Sequence, residues 1–579
     1  MTKPTYVLGT GLSHDGSSCL MRDGEIVVGI EKERITRKKH DGFNDRLTLE
    51  YCLEAEGITW ADVDVLVENN TKNRFELEDQ RLRLGREIPE FVPRVNISHH
   101  LAHAYSAAGA SPFSETTVVV IDGRGSSLDN CVDVTPHLLP ADVRAIPAGH
   151  RDQLFEKASV YFFQDGRMET IFKDYSSLLS KSLDRVRFPL APPTMEHSAG
   201  EFYGGVSYYV FGKNFQEGKL MGLAPYGRPG IFSGDGFFLR EGRAFINYDD
   251  PPNVPSELYG GFYERPERFQ TYADLAHWAQ KELEKALIYL VGTAHALAPS
   301  RNLSYAGGLA LNAVANRRLF TETPFDNIFI QPAAGDNGIA VGCCYYGWLE
   351  VLKRGSVKHS GISAFGRRYD AEQCSSAVAS QGSACTVTEP ESIVSATARI
   401  LADGGVVGWF QGPSEFGPRA LGFRSILADP RRAEMQDFIN REVKLREDFR
   451  PFAPSVTEED ASVYFEDDFE SPYMILVMKT RPEWRERIPA VVHKDGTARV
   501  QTVSQSMNPL YHRLLKEFQR FTGIPVLLNT SFNRRGMPIV ETPEQAVKFF
   551  LESELHALVL DRYLVTKNLR EGSHPAVDS

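Results

Sequence analysis

Short apolar runs separated by polar, glycine-bearing turns organise this chain as alternating strands and helices. The run Tyr6-Val7-Leu8-Gly9 passes into the turn Ser13-His14-Asp15-Gly16-Ser17-Ser18, and Cys19-Leu20-Met21 then reaches Asp23-Gly24. Asp-Gly between two apolar runs is a hairpin signal, because both residues tolerate positive φ, so Ile26-Val27-Val28-Gly29-Ile30 is predicted as the returning strand. A similar unit recurs at 117–132: Val118-Val119-Val120-Ile121, then Asp122-Gly123-Arg124-Gly125-Ser126-Ser127, then a second short strand. Two such units predict a duplicated α/β core with nucleotide between its halves. Residues 140–280 mix helical stretches with turns such as Asp249-Asp250-Pro251-Pro252. A long amphipathic helix is predicted over 271–297, followed by strands at 303–305 and 328–330.

Turn-like residues from Lys353 to Asp370 mark a boundary, giving a first domain over 1–355, a linker over 356–370 and a second α/β domain over 371–579. In the second domain the pattern predicts strands at 406–410 and 526–528, a helix over 433–444, and a helix capped by Thr542 with Pro543 in its first turn. A hairpin is expected at 557–565, with a frayed tail from Glu571.

At 579 residues the chain is too long for one hydrophobic core. A formal net charge of -12 gives no reason to expect a nucleic-acid partner. Apolar runs stop short of the roughly 18 residues a membrane span needs, and Gly9, Gly11, His14 and Asp15 interrupt the start of the chain. The 7 cysteines include no C-x-x-C pair, which argues against a disulfide framework and a cysteine zinc site. A cytoplasmic enzyme is expected.

The candidate chemistry falls into two groups. In Ser98-His99-His100-Leu101-Ala102-His103, helix formers put His99 and His103 one turn apart on one face, with His100 pointing away. Such a pair is either a set of satisfied buried histidines or half of a metal clamp. Asp122 and Asp336 both follow apolar strands, where α/β sheets place their ligands, and they favour the clamp. Two imidazoles and two carboxylates suit iron(II), manganese or zinc, and ligand type does not choose among them. Glycine turns at Gly11, Gly204-Gly205 and Gly307-Gly308 allow close approach of backbone N–H groups to phosphate. His14 is either a hydrogen-bonded turn residue or a general base for a hydroxyl. The basic run Arg34, Arg37, Lys38, Lys39 reads as a solvated face, with Lys39 a candidate for holding an anionic intermediate. In the second domain Arg419, Lys444 and Arg450 stand beside stiff Pro and Gly turns. With Asn529 and Ser531 they form either a salt-bridge network or a pocket for a small phosphorylated acid.

Taken in order, six stretches carry a resemblance: residues 99–103, Lys219-Leu220-Met221-Gly222-Leu223-Ala224-Pro225-Tyr226-Gly227, 307–312, 332–338, 417–424 and 529–533. Over essentially the whole chain they resemble the O-carbamoyltransferases of antibiotic biosynthesis (tobramycin-type) and nodulation-factor modification. The resemblance implies an ASKHA-type first domain, like the tRNA threonylcarbamoyl-transferase subunit. It implies a second domain like threonylcarbamoyl-adenylate synthase (YrdC-like). It further implies that the second domain makes carbamoyl adenylate from carbamoyl phosphate and ATP with Mg2+, and that the first transfers the carbamoyl group to an alcohol.

Carried over by motif, His99, His103, Asp122 and Asp336 would bind the metal, iron(II) by preference, and Gly307, Gly308 and Asn312 the nucleotide. Arg419, Lys444, Arg450, Asn529 and Ser531 would hold carbamoyl phosphate, and His14 and Lys39 would serve the transfer. Two positions depart from the family pattern: Ser126 stands where relatives have glutamate, and Phe423 where they have asparagine. The expected partners are a small-molecule alcohol acceptor, its pocket shaped by residues 140–264 with aromatics such as Phe237, Tyr248 and Tyr263, and at most a second copy of the chain. An ASKHA-type kinase or a tRNA threonylcarbamoyl-type enzyme is the alternative.

Overall fold

A computed structural model describes residues 3–42, 45–69, 88–177, 198–247, 252–355, 357 and 360–568. Tyr248, the turn at 249–251, some residues of the expected linker and the tail from Glu571 lie outside them. The first sheet contains β1 (Tyr6–Gly11), β2 (Ser17–Arg22), β3 (Glu25–Glu31), β4 (Val63–Asn69) and β5 (Arg94–Ile97), in the order β3-β2-β1-β4-β5. The second contains β6 (Glu115–Ile121), β7 (Leu154–Gln164), β8 (Arg167–Ser177), β11 (Asn302–Ala306) and β12 (Asn327–Ile330). Its order, β8-β7-β6-β11-β12, repeats the first strand for strand. In each half the first three strands are antiparallel, the fourth pairs parallel to the first, and the fifth pairs parallel to the fourth. This duplicated topology is the ASKHA-type core. The hairpin β9 (Phe237–Arg240) and β10 (Arg243–Ile246) stands apart from both sheets.

The repeat is real, but its second strand lies elsewhere than predicted. Residues Leu128–Asn130 form a 3-10 turn, and the partner of β6 is β7, some thirty residues on. The strands β7 and β8 turn at Asp165-Gly166, with φ of 48° and 82°, as β2 and β3 turn at Asp23-Gly24, with φ of 50° and 86°. The same Asp-Gly chemistry, with positive φ at both central residues, marks each half. The long insertion between β6 and β7 hid the second copy from a search for adjacent strands.

Each half ends in a helix that follows its fifth strand. His99–Ala110 follows β5, and Ile339–Tyr346 follows β12 through a turn at Asp336–Gly338. Small residues let these helices touch. A Cβ on Gly342 would stand 1.8 Å from the Ala102 carbonyl oxygen, and one on Gly109 would stand 2.4 Å from the Tyr345 ring.

The second domain is built on one eight-stranded mixed sheet. It contains β13 (Cys385–Thr388), β14 (Val407–Phe410), β15 (Arg424–Ala428), β16 (Ala453–Thr457), β19 (Gln501–Val503), β20 (Val526–Ser531), β21 (Ala557–Leu560) and β22 (Tyr563–Lys567), and the short strands β17 (Met478–Lys479) and β18 (Thr497–Ala498) pair separately. Thr542 caps the helix Pro543–Leu551 as its sequence predicts, its side chain accepting from the Gln545 N–H. Asn529 and Ser531 sit on β20 itself, which runs on past the apolar residues that announced it.

The two domains are welded. Arg34 is buried, pairs with Glu31 and donates to Gly417 O at 2.7 Å. Arg37 donates to Ile539 O at 2.6 Å and to Pro538 O at 2.7 Å. These two arginines are therefore interdomain ties and not the solvated face expected of the run, whereas Lys39 keeps partial exposure. Phe416, Leu421, Phe449 and Tyr473 of the second domain pack into the core of the first.

Gly342→Ala tests the helix contact. In an isolated helix the change would stabilise by up to about 1 kcal/mol. Here the methyl group must push the paired backbones apart, and a loss of about 3 kcal/mol is expected. A shift of the urea midpoint to lower concentration is the measurement, and an unchanged or raised midpoint refutes the contact.

Candidate active site

The ends of those two helices make the first site. His99 and His103 occupy one face of the first helix, and Asp336 stands in the turn that starts the second. Asp122 follows the last residue of β6, where its Oδ1 accepts the Gly308 N–H at 2.8 Å. His99 Nε2 lies 3.3 Å from Asp122 Oδ2 and 3.4 Å from Asp336 Oδ1, and His103 Nε2 lies 3.7 Å from Asp336 Oδ1. One ligand atom from each of the four falls within 4.8 Å of all the others. His100 points away, with Nδ1 at 2.8 Å from Ser159 Oγ.

The residues fit a divalent cation. His103 is fully buried, yet neither ring nitrogen has a hydrogen-bond partner among the described residues. A buried unsatisfied polar group costs about 1–3 kcal/mol, so such a histidine points to a coordination bond. The site also favours positive charge. Burial opposes the His99 imidazolium, but Asp336 and Asp122 outweigh it and raise its pKa to about 10. Burial likewise opposes ionised Asp122, yet its bond to His99 carries the pKa down to about 2.

His14 reaches this clamp, with Nδ1 at 3.3 Å from Asp336 Oδ2. Burial opposes its charge, and Asp336, Asp15 and Asp122 raise its pKa on balance. Phe215, 44% exposed and in the left-handed region at φ 58°, stacks on His40 at 4.3 Å and stands edge-on to His14 at 4.9 Å. A bulky side chain rarely adopts that backbone, and no sequence signal marked it. Gly307 holds φ 97°, and a Cβ there would meet Ile121 O at 2.3 Å. Asn312 is engaged by the protein: its Oδ1 accepts from Ala315 N at 3.0 Å to cap a helix, and its amide exchanges bonds with Gln280.

The second site is a cavity of about 450 Å³ between the domains. Arg419, Lys444, Arg450, Asn529 and Ser531 all line it, so the structure brings the five sequence candidates together. It adds Arg446, Arg499, His493 and Asn533. Arg446 lies two residues past Lys444, across Leu445 at φ 51°, and both line the cavity. Its spacing was visible in the sequence, whereas Arg499 comes from a distant loop and carried no signal.

Lys444 donates to the backbone and hydroxyl oxygens of Ser531 and to Asn533 Oδ1 at 2.7 Å. Among the described residues, Arg450 alone of these five cations reaches a carboxylate, Glu447 at 4.0 Å. The cations therefore repel one another. Burial and Arg450 lower Arg419 to about 10, and burial followed by three neighbouring arginines pulls Arg499 well below its usual range. The first domain closes the cavity with Met221, Gly222, Pro225 and Tyr226. Lys39 lines it too, paired with Glu33 at 3.0 Å, so it sits on this wall and not among the metal ligands. Phe423 lies outside the lining. Of the expected aromatics, Phe237 packs in the core on Phe202 at 4.6 Å. Tyr263 donates to Glu447 at 2.7 Å beside the cavity.

Four ligand-type side chains thus cluster in a duplicated α/β core, and a cavity rich in cationic side chains lies against the second α/β domain. Family models for the carbamoyltransferase N-terminus match residues 7–80 and 84–345, and for the carbamoyltransferase C-terminus residues 398–567. The chain belongs to the carbamoyltransferase family. It is 33% identical to an uncharacterized protein of Synechocystis, over 97% of each chain. It is also 33% identical to nodulation protein NolNO of Sinorhizobium fredii, over 96% of this chain and 79% of that one. The solved structure of full-length HypF in its phosphate- and nucleotide-bound form aligns with a TM-score of 0.38 at 13% identity, covering 60% of this chain and 56% of HypF. Among the described residues no helix is long and apolar enough to cross a membrane.

The crowd of cations gives a direct test. A polyanion that binds the folded state alone stabilises it by about 2.7 kcal/mol at 100 times its Kd. Inorganic pyrophosphate is expected to raise the thermal midpoint of the wild type by several degrees. The Arg446→Met/Arg499→Met variant should lose most of that rise, and an equal rise in both would remove these arginines from the site.

Proposed function

We propose that the chain is an ATP-dependent O-carbamoyltransferase that forms carbamoyl adenylate in the second domain and transfers its carbamoyl group to a hydroxyl of a small natural product in the first. The observation that carries the reading is the set Arg419, Lys444, Arg446, Arg450 and Arg499 around one cavity, of which, among the described residues, Arg450 alone has a carboxylate within 4.0 Å. Such a site is short of negative charge, and carbamoyl phosphate with the phosphates of ATP (as its Mg2+ complex) supplies it. Membership in the family supplies the carbamoyl group.

The steps balance as follows. Carbamoyl phosphate and water give carbamate and phosphate. A carbamate oxygen then attacks the α-phosphorus of ATP, and pyrophosphate leaves. Guanidinium forks hold the equatorial oxygens and neutralise the charge that builds on the leaving group, so catalysis rests on positioning and electrostatics. Lys444, fixed by Ser531 and Asn533, offers an Nζ donor in a set place, its pKa held well down by burial and by Arg446 and Arg450.

Carbamoyl adenylate hydrolyses in water, so the reaction calls for a closed path between the sites, and Arg34 and Arg37 tie together the domains that carry them. In the first domain an alcohol oxygen attacks the carbamoyl carbon and AMP leaves. His14, partly exposed beside the clamp, takes the alcohol proton on its imidazole. His99, His103, Asp122 and Asp336 would hold a divalent cation, iron(II) by family resemblance, which supplies positive charge to the departing phosphate. Gly307 and Gly308 bring backbone close to the same place.

Incubation with carbamoyl phosphate, ATP and Mg2+ is expected to release AMP and pyrophosphate only when carbamoyl phosphate is present. Arg450→Ala should lower that rate at least 100-fold. ADP formed without carbamoyl phosphate would replace this reading with a kinase. A second variant separates the sites: Asp336→Asn should lose bound metal, measured by elemental analysis, while carbamoyl-phosphate-dependent pyrophosphate release continues. Loss of pyrophosphate release together with the metal would merge the two sites into one.

A further inference from the structure

The first N–H groups of a helix have no partner inside it. In the helix that carries His99 and His103, the His99 N–H donates to Ser126 Oγ at 2.9 Å and the His100 N–H to Glu156 Oε2 at 3.2 Å. The same Glu156 oxygen accepts the Ser126 N–H at 2.9 Å. Ser126 lies on the loop that begins at Asp122. One fully buried carboxylate thus ties the segment bearing His99 to the segment bearing Asp122. Backbone bonds set the register, with Gly125 N donating to Glu156 O at 2.9 Å and Glu156 N to Ser126 O at 3.0 Å. There is no slack: a Cβ on Gly125 would stand 2.7 Å from Glu156 Oε2 and 2.8 Å from the His100 ring.

The second oxygen of Glu156 accepts from Lys173, which is also fully buried. Lys173 Nζ reaches Asp133 Oδ2 at 2.8 Å, and Asp133 accepts from the hydroxyls of Ser98 and of Tyr161. Ser98 precedes the helix as its N-cap residue, so the network returns to where it began. Cys131, Asp133 and Glu156 also bring ligand atoms together, but the Lys173 ammonium already supplies the positive charge between the two carboxylates.

We propose that Glu156, kept in place by Lys173, is a positioning residue for the metal clamp, fixing His99 and Asp122 at the separation that a shared cation needs. The inference rests on the reading of His99, His103, Asp122 and Asp336 as metal ligands. It adds that the clamp is preorganised by a carboxylate that touches neither metal nor substrate. Partners of this kind typically change metal affinity 10–100-fold.

Cobalt(II) is the probe, because its visible bands report ligand field as well as occupancy. The full chain is stripped of metal and titrated, with a chelator competing. Glu156→Leu/Lys173→Met replaces the buried Glu156–Lys173 pair by apolar groups of similar size. It leaves the His100 and Ser126 N–H groups without their acceptor. Because Asp133 also loses its ammonium partner and two buried N–H groups lose their acceptor, its thermal midpoint without metal is expected below wild type, with cobalt(II) bound at least 10-fold more weakly and its bands altered. Glu156→Gln/Lys173→Met keeps an oxygen for both N–H groups and should stay within about threefold of wild type. Should the leucine variant not fold, Glu156→Gln alone faces the Lys173 ammonium with an amide NH2 and should weaken binding at least fivefold. Wild-type affinity in the leucine variant, or in Glu156→Gln, overturns the positioning role. A wild type that takes up no cobalt(II) instead refutes the clamp, and the inference falls with it.

Discussion

Gly342 lies so close to the Ala102 carbonyl that a Cβ would stand 1.8 Å from that oxygen, and the first site depends on this contact between two helices. Each helix follows the last strand of one half of a duplicated core. His99 starts one of them, and Asp336 stands in the turn that starts the other. With the helices packed backbone to backbone, the two beginnings are held within coordination reach, and Asp122 and His103 complete the group. The site is therefore a property of the interface between halves. Neither half alone carries the full set of ligands.

The second site inverts this economy of charge. Its wall gathers guanidinium groups whose pKa is lowered by burial and then by one another, and among the described residues Arg450 alone of Arg419, Arg446, Arg450 and Arg499 has a carboxylate within 4.0 Å. Like charges gathered in a buried wall raise the electrostatic energy of the fold, which an anion among them would lower. Both domains contribute to the wall, which is why Arg34 and Arg37 matter although they touch no reacting group. They tie the basic segment that carries Lys39 to Gly417, Pro538 and Ile539, and Gly417, Ile539 and Lys39 all line the cavity.

Local physical chemistry wrote much of this into the chain. Strand ends followed by Asp-Gly, a helix-forming run with histidines four apart, and arginines beside proline turns each depend on neighbours within a few residues. All four clamp residues and all five pocket residues were legible on that basis and do meet in space. The hairpin of β7 and β8 was legible too, from alternation around Asp165-Gly166, but the expectation of a short second strand at 128–132 drew the eye away from it.

What only the tertiary structure decided is pairing across long separations. The sequence marks Arg34 and Arg37 as basic but cannot say that carbonyls 383 and 502 residues away will accept from them. It shows Asn312 in a glycine-rich motif, whereas packing against Gln280 turns it into a helix cap. Arg499 sits in a segment without pattern and Glu156 near the start of β7, and the meaning of both comes from what folds beside them. Periodicity and turn chemistry act over one or two turns of chain. The placement of a charge beside its counter-charge is settled by burial, which removes water and forces each polar group to find a partner wherever the fold brings one.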